Sequence, residues 1–146
     1  MSEPNDLTSL SRTECLRLLA SSDIGRVVFV DEVLPGVQPV VYLLDGEEII
    51  YRTANGAKLA AVTRHAVIAF EVDDIDHQTR TGWSVVGVGQ SYEIFDQERL
   101  AELHDRMPEP WVRDHDLHTI AIPLTRLTGR RINLAGGITP DIPRRA

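Results

Sequence analysis

Two basic residues and a hydroxyl flank a predicted turn near the middle of the chain. Arg52 and Thr53 end an alternating run that predicts a strand, and Lys58 begins an Ala- and Leu-rich run that predicts a short helix. The dipeptide Asn55-Gly56 between them readily adopts positive φ. A turn into a helix N-terminus exposes backbone N–H groups and the positive end of a helix dipole, which favour an anion such as phosphate. Taken alone, the segment fits equally a plain β-turn-α connection with two surface cations.

Other chemical motifs in the sequence are weaker. Gly87-Val88-Gly89 matches part of a dinucleotide fingerprint, but residues 92–95 continue a strand where that fingerprint needs a helix. His115 and His118 precede a strand and have no convincing further ligand elsewhere, so we interpret them as part of a solvated loop. Ser84 has no nucleophile-elbow motif around it. The sequence therefore predicts no metal site and singles out no catalytic acid, base or nucleophile.

Composition narrows the class of protein. The chain has 146 residues, which fits one domain, and its net charge of −7 argues against nucleic acid as a partner. No apolar run approaches the roughly 20 residues of a membrane span, so no membrane partner is expected. The polar, acidic start differs from a signal peptide, and a single cysteine, Cys15, fits a reducing compartment. We therefore expect a cytoplasmic protein.

The order of predicted elements favours a mainly β fold with flanking helices. Capping signals at Ser11 and Asp96 predict helices to about Ser21 and Arg106. The predicted strands cover residues 26–30, 37–44, 49–53, 66–72, 82–95 and 117–132, and the predicted loops include residues 31–36 and 73–78. Six strands with hairpin-length links indicate an antiparallel barrel or sandwich, with the helices packed outside. Residues 1–10 are predicted to be a flexible leader, 11–132 the domain, and 133–146 a flexible tail.

Several short motifs, in a fixed order, resemble one known family. They are Gly25-Arg26-Val27, Pro39-Val40-Val41-Tyr42, Tyr51-Arg52-Thr53, Gly56-Ala57-Lys58-Leu59, Phe70-Glu71-Val72-Asp73 and Gly82-Trp83-Ser84-Val85-Val86 before Gly89. Together they resemble the pyridoxamine 5′-phosphate oxidase-like flavoproteins, which have an FMN-binding split-barrel fold. The resemblance implies a six-stranded antiparallel split β-barrel of the FMN-binding type.

The resemblance also implies a homodimer with two FMN molecules in clefts between the subunits. Thr53, Gly56, Ala57 and Lys58 match the segment that holds the FMN phosphate and ribityl chain, and Arg52 matches a flavin-lining position. Pro39, Val40, Val41 and Tyr42 match the strand beneath the isoalloxazine ring. Trp83, Ser84 and Val85 match a strand that reaches the flavin, in many members from the other subunit. Trp111, between Pro110 and Val112, is instead interpreted as a packing residue.

The implied function is that of an FMN-dependent oxidoreductase, which passes hydride between the flavin and an unidentified small molecule or nicotinamide donor. Ala57 stands where many members have serine, and the basic residues that bind the substrate phosphate of true pyridoxamine phosphate oxidases are not evident. That specific activity is therefore not inferred. Two alternatives stay open: a split barrel that binds a deazaflavin or haem, and a flavin-binding sensor or carrier dimer without turnover.

Overall fold

The computed structural model describes residues 7–54, 65–111 and 117–133. Within these ranges the two helices are α1 (Arg12–Ala20) and α2 (Gln97–Arg106). The strands are β1 (Leu7–Ser9), β2 (Ile24–Asp31), β3 (Leu34–Asp45), β4 (Glu48–Ala54), β5 (Val67–Asp76), β6 (Thr81–Gln90), β7 (Tyr92–Glu93), β8 (Leu117–Pro123) and β9 (Arg126–Ile132). The mainly β prediction is therefore confirmed, with nine strands in place of the predicted six.

All nine strands belong to one curled antiparallel sheet of order β1-β9-β6-β5-β2-β3-β4-β8-β7. The curl brings the end of β6 against the end of β8. A Cβ atom added at Gly89 would overlap the carbonyl oxygen of Pro123, and one added at Gly87 would overlap the Leu124 side chain. Glycine is therefore required at position 89, where the two halves of the sheet meet backbone to backbone, which is the close approach expected of a barrel strand. The predicted split barrel is confirmed.

A buried aromatic pair lies in the main core inside the curl. The Tyr42 and Phe70 rings meet edge to face, with centroids 4.9 Å apart. The Tyr42 hydroxyl donates to the carbonyl oxygen of Leu19 over 2.6 Å, which ties helix α1 to β3. A second, smaller core lies under α2, where Leu103 packs with Ile50 of β4. Strand β4 is therefore covered on both faces.

Local capping and turn signals are confirmed. Ser11 Oγ accepts from the Glu14 N–H at the start of α1, and Asp96 Oδ2 accepts from the Arg99 N–H at the start of α2. Asp45-Gly46, a dipeptide typical of tight hairpin turns, joins β3 to β4, with Gly46 at a φ of 63°. Side chains that contact atoms within a few residues determine these features, so they are visible in the sequence.

Three local predictions were wrong. The predicted loop at 31–36 is mostly strand, because Glu32 adopts a φ of 61° and closes a two-residue turn between β2 and β3. The predicted loop at 73–78 is largely the end of β5, since residues 73–76 pair with β6. The predicted strand at 82–95 is interrupted at Ser91, whose N–H donates to the carbonyl oxygen of Ala66.

The ends of the chain fall largely outside the described residues. Leu7–Ser9, placed in the predicted leader, form β1 and pair with β9. Residues 1–6 and 134–146 are not among those that the structure describes. Within the described ranges, no helix is long and apolar enough to cross a bilayer.

Candidate cofactor site

A cavity opens where strand β3 changes its partner. From Leu34 to Val41 this strand pairs with β2, and from Tyr42 to Asp45 it pairs with β4. Strands β3 and β4 therefore separate next to the end of β4, and a cavity of about 170 Å³ lies between them. Its described lining residues are Gln38, Pro39, Val40, Val41, Arg52, Thr53, Ala54, Pro110, Trp111 and Leu117.

Pro39 lies in β3 at a place where a strand can accept proline. It is in register with Arg26 of β2, while pairing with β4 begins only at Tyr42. A missing N–H is tolerated on such an edge segment. The apolar lining that Pro39, Val40 and Val41 provide therefore follows from the strand geometry.

Arg52 supplies positive charge to the cavity wall. Its Nη2 donates to the carbonyl oxygen of Pro108 over 2.9 Å, in a partly buried setting. Burial lowers the pKa of Arg52, and the nearby Glu109 carboxylate opposes that shift. Arginine keeps its proton at physiological pH even when it is partly desolvated. The cavity therefore has a permanent cation in its wall.

Thr53, the next residue of β4, also lines the cavity. It is 6% exposed and lies in register with His118 of β8.

The Nδ1 atom of His118 is 2.6 Å from Oε2 of Glu93. The interpretation of His118 as part of a solvated loop was therefore wrong, because it is a half-buried strand residue. His115, the other histidine of that motif, lies outside the described residues.

Trp111 is one of the lining residues that the sequence interpretation missed, and the others are Gln38, Ala54, Pro110 and Leu117. It was assigned to packing, yet it is 58% exposed and borders the cavity. It follows Pro108-Glu109-Pro110, a stiff segment directly after α2. A tryptophan in such a segment is the signal that could have indicated a wall residue. The packing interpretation is corrected accordingly.

Some predicted site residues do not line this cavity. The side chain of Tyr42 points into the core, where it is 1% exposed, and Val85 is fully buried there. Trp83 is half-buried and packs against the same core, and Ser84 lies in register with Asp73 and Arg130. Strand β6 is separated from β3 by β5 and β2. Within one chain, the structure does not bring Trp83, Ser84 and Val85 to the cavity.

The remaining predicted residues are Gly56, Ala57 and Lys58, which lie outside the described residues, as does the predicted helix that follows them. The last described residue before them is Ala54, which lines the cavity. Strand β4 therefore ends at the cavity rim, and the predicted anion-binding turn is the next segment of the sequence.

The cavity volume and lining indicate a site that one described chain does not complete. Small-molecule sites usually enclose about 300–1,000 Å³, whereas this cavity is about 170 Å³. Its lining combines apolar surface from Pro39 and Val40, an aromatic ring, the Arg52 cation and the Thr53 hydroxyl. This set of groups fits a planar aromatic ring that carries an anionic tail.

A family model described as pyridoxamine 5′-phosphate oxidase matches residues 11–131. The chain belongs to this family. The uncharacterised protein Rv0080 of Mycobacterium tuberculosis is 40% identical over 140 residues, which cover 92% of this chain and 91% of that protein. Family membership confirms the resemblance identified from the sequence motifs.

Solved structures of the same fold include flavin-binding proteins. A FAD binding protein from Mycobacterium smegmatis is 31% identical, with a TM-score of 0.74, and the match covers 87% of this chain and 98% of that one. A FAD and haem binding protein from the same organism is 16% identical, with a TM-score of 0.70, and the match covers 91% of this chain and 75% of that one. At that lower identity the second likeness concerns the fold alone.

Proposed function

We propose that this chain is an FMN-dependent oxidoreductase that acts as a homodimer in the cytoplasm on a small organic molecule. The observation that carries the proposal is the cavity between β3 and β4. There the Arg52 cation and the Thr53 hydroxyl lie beside apolar surface, in a chain of a flavin-binding family. The single, buried Cys15 is consistent with a reducing compartment.

Each part of the proposed site has a distinct task. Arg52, Thr53 and the turn residues Gly56, Ala57 and Lys58 would hold the phosphate tail through charge-assisted hydrogen bonds. The segment Pro39–Val41 of β3 would lie beneath the ring and keep water from it, while the Tyr42 side chain stays in the core. When bound, the flavin supplies a hydride acceptor and donor, and the protein supplies binding, orientation and electrostatic tuning.

The homodimer is supported by an apolar face on the outside of the sheet. Val37, Val28, Ala69 and Val88 form a continuous row across four strands, in register with one another. Val37 is 62% exposed in the single chain. A second copy on this face would cover the row, and isologous contact of this kind is the commonest way to close a dimer.

A second copy would also account for the incomplete cavity. Pro39 of the lining and Val37 of the apolar row belong to the same segment of β3. We propose that Trp83 and Ser84 of the second copy reach the cofactor bound to the first, whereas Val85 stays buried in the core of its own chain. In this arrangement the second copy adds wall to a cavity that, as its described residues line it, is smaller than a typical ligand site.

The cofactor is tested with the purified protein. A yellow preparation with oxidised-flavin absorbance, and saturable binding of added FMN, are the expected results. FAD is the second candidate, because the 31% identical neighbour is a FAD binding protein, and parallel FMN and FAD titrations decide between them. A colourless protein that ignores both would overturn the proposal, and binding of a deazaflavin or haem instead would support those alternatives.

Turnover is tested separately, by adding NADH or NADPH to the flavin-loaded protein without oxygen. Bleaching of the flavin absorbance is expected of an oxidoreductase. Bound flavin that neither of these donors nor dithionite-reduced mediators can reduce would favour the sensor or carrier alternative.

The dimer is tested by sedimentation of the Val37→Arg variant. Burying an unpaired charge in the apolar row is expected to shift the protein to monomer. Phe95→Arg is the matched control, because Phe95 is 71% exposed and lies on the segment between β7 and α2. A wild-type protein that sediments as a monomer at all concentrations contradicts this part of the proposal.

A further inference from the structure

Trp111 is a large aromatic side chain that the fold leaves uncovered at the edge of the cavity. It is 58% exposed, although it borders a site lined by Pro39, Val40 and Val41. An aromatic side chain buries roughly 150–250 Å² when it is fully covered. The described chain therefore leaves much of the Trp111 side chain exposed to solvent. A ligand in the cavity can cover this surface.

The segment that carries Trp111 is held in place before any ligand binds. The N–H of Met107 donates to the carbonyl oxygen of Leu103 over 2.9 Å, which ends α2. One residue later, Arg52 donates to the carbonyl oxygen of Pro108 over 2.9 Å. Proline at positions 108 and 110 restricts φ on both sides of residue 109. An aromatic side chain held in this way loses little conformational entropy when it binds a ring.

Arg52 joins this segment to the sheet as well as lining the cavity. Residue 52 lies in β4, in register with Thr119 of β8, so its backbone is part of the rigid sheet. A guanidinium carries five N–H donors, and the hydrogen bond to Pro108 uses one of them. Arg52 can therefore hold the Trp111 segment and still present positive charge to an anionic ligand.

We propose that Trp111 stacks on the planar ring of the ligand that fills this cavity, and that Arg52 positions Trp111 through the Pro108 carbonyl. The identity of the ring rests on the proposed function. If the chain binds a flavin, the ring is the isoalloxazine. The chemical class that the site selects is a conjugated planar ring with a negative charge near it. Trp111 thus determines specificity for the ring, and Arg52 is a positioning residue.

Tryptophan emission tests the stacking directly. The chain contains two tryptophans, so Trp83→Phe leaves Trp111 as the sole indole and Trp111→Phe leaves Trp83. Because Trp83 is itself proposed to reach the cofactor of the other copy, the Trp83→Phe protein is compared at FMN concentrations at which the flavin absorbance change has saturated. At that saturation, FMN is expected to quench most of the Trp111 emission. FMN should also protect Trp111 from acrylamide, a small collisional quencher in solution.

Affinity provides the second readout. Trp111→Ala is expected to weaken FMN binding roughly 5- to 100-fold, the scale of stacking between a base and an aromatic side chain. Trp111→Phe keeps a smaller ring and should lose much less. Both variants change an exposed side chain, so unchanged circular dichroism and thermal midpoints are expected to show that they fold.

The positioning role of Arg52 is tested by combining variants. If Arg52 acts through Pro108, the Arg52→Ala variant also misplaces Trp111. Part of the affinity that this variant loses is then the contribution of Trp111. The double variant Arg52→Ala/Trp111→Ala should therefore lose less than the product of the two single losses. Arg52→Ala alone, in the Trp83→Phe background, should change the acrylamide quenching of Trp111 without ligand. Losses that multiply, with unchanged quenching, would overturn the positioning role.

The failure of this inference differs from the failure of the proposed function. If the wild-type protein binds FMN but Trp111→Ala binds it within twofold, and Trp111 emission does not respond, the stacking role is wrong while flavin binding stands. If the wild-type protein binds neither FMN nor FAD, the proposed function is wrong and the stacking inference is overturned with it.

Discussion

Arg26 Nη1 lies 2.9 Å from Glu71 Oε1 on the outer face of the sheet, where the two residues are register partners of β2 and β5. The same guanidinium is 3.3 Å from Asp73 Oδ2. Burial raises the pKa of Glu71 to about 7, the Asp73 carboxylate adds to the rise, and Arg26 opposes it. Two carboxylates that share one cation therefore place a titrating group on the face that we propose a second copy covers.

The first prediction concerns pH and stability. Because the folded-state pKa of Glu71 lies above its unfolded value of 4.5, the folded protein binds more protons between these two values. Stability should fall as pH rises through about 7, by at most about 3 kcal/mol from this group. The measurement is urea unfolding from pH 5 to 8 at fixed protein concentration. Glu71→Gln is the control, and a wild-type curve parallel to that of the variant would contradict the assignment.

The second prediction concerns the anion-binding turn. Lys58 is the only lysine of the chain, and Lys58→Ala should weaken FMN binding by about 1–3 kcal/mol, the scale of a charge-assisted hydrogen bond. Arg17→Ala is the charge-matched control, because Arg17 is on α1 and forms an exposed ion pair with Glu14. Calorimetric titration with FMN measures both. Equal affinities in the two variants would remove Lys58 from the phosphate site.

The third prediction concerns the junction where the sheet closes. Gly89→Ala should lower the free energy of unfolding by roughly 3 kcal/mol, because the new Cβ meets the backbone carbonyl of Pro123 and not a movable side chain. Gly46→Asn is the control, since no atom lies within 4 Å of a Cβ there and asparagine tolerates its φ of 63°. Chemical denaturation compares them. A Gly89→Ala protein of wild-type stability would mean that β6 and β8 are farther apart.

The fourth prediction concerns Tyr42. Burial raises the pKa of the Tyr42 phenol above its ordinary range, so Tyr42 should not contribute to the tyrosinate titration of the folded protein at about pH 10. Tyr42→Phe should leave the tyrosinate absorbance titration unchanged between about pH 9 and 11. The same variant should lose about 1–3 kcal/mol of stability, because the buried Leu19 carbonyl loses its donor. A smaller titration amplitude in the variant would place Tyr42 in contact with solvent.

Much of the local structure could be predicted from neighbouring residues. Ser11, Asp96 and Gly46 specify two helix starts and a hairpin, because each acts on atoms within three residues of itself. The loop prediction for residues 31–36 failed because the turn depends on Glu32 in a left-handed conformation. A glutamate in the sequence does not indicate positive φ. The predictions were therefore reliable where a residue type matches one local role.

The sequence by itself determined the mainly β class and the cluster of cation, hydroxyl and turn that suits an anion, since short-range patterns carry both. Its ordered motifs also carried the resemblance to the family. The tertiary structure alone decided that β3 leaves β4 at Tyr42, that the Tyr42 side chain turns into the core, and that Trp111 borders the resulting cavity. These outcomes depend on how the whole sheet curls and on contacts between residues far apart in the chain. Local residue patterns do not encode such distances, and only packing of the complete fold sets them.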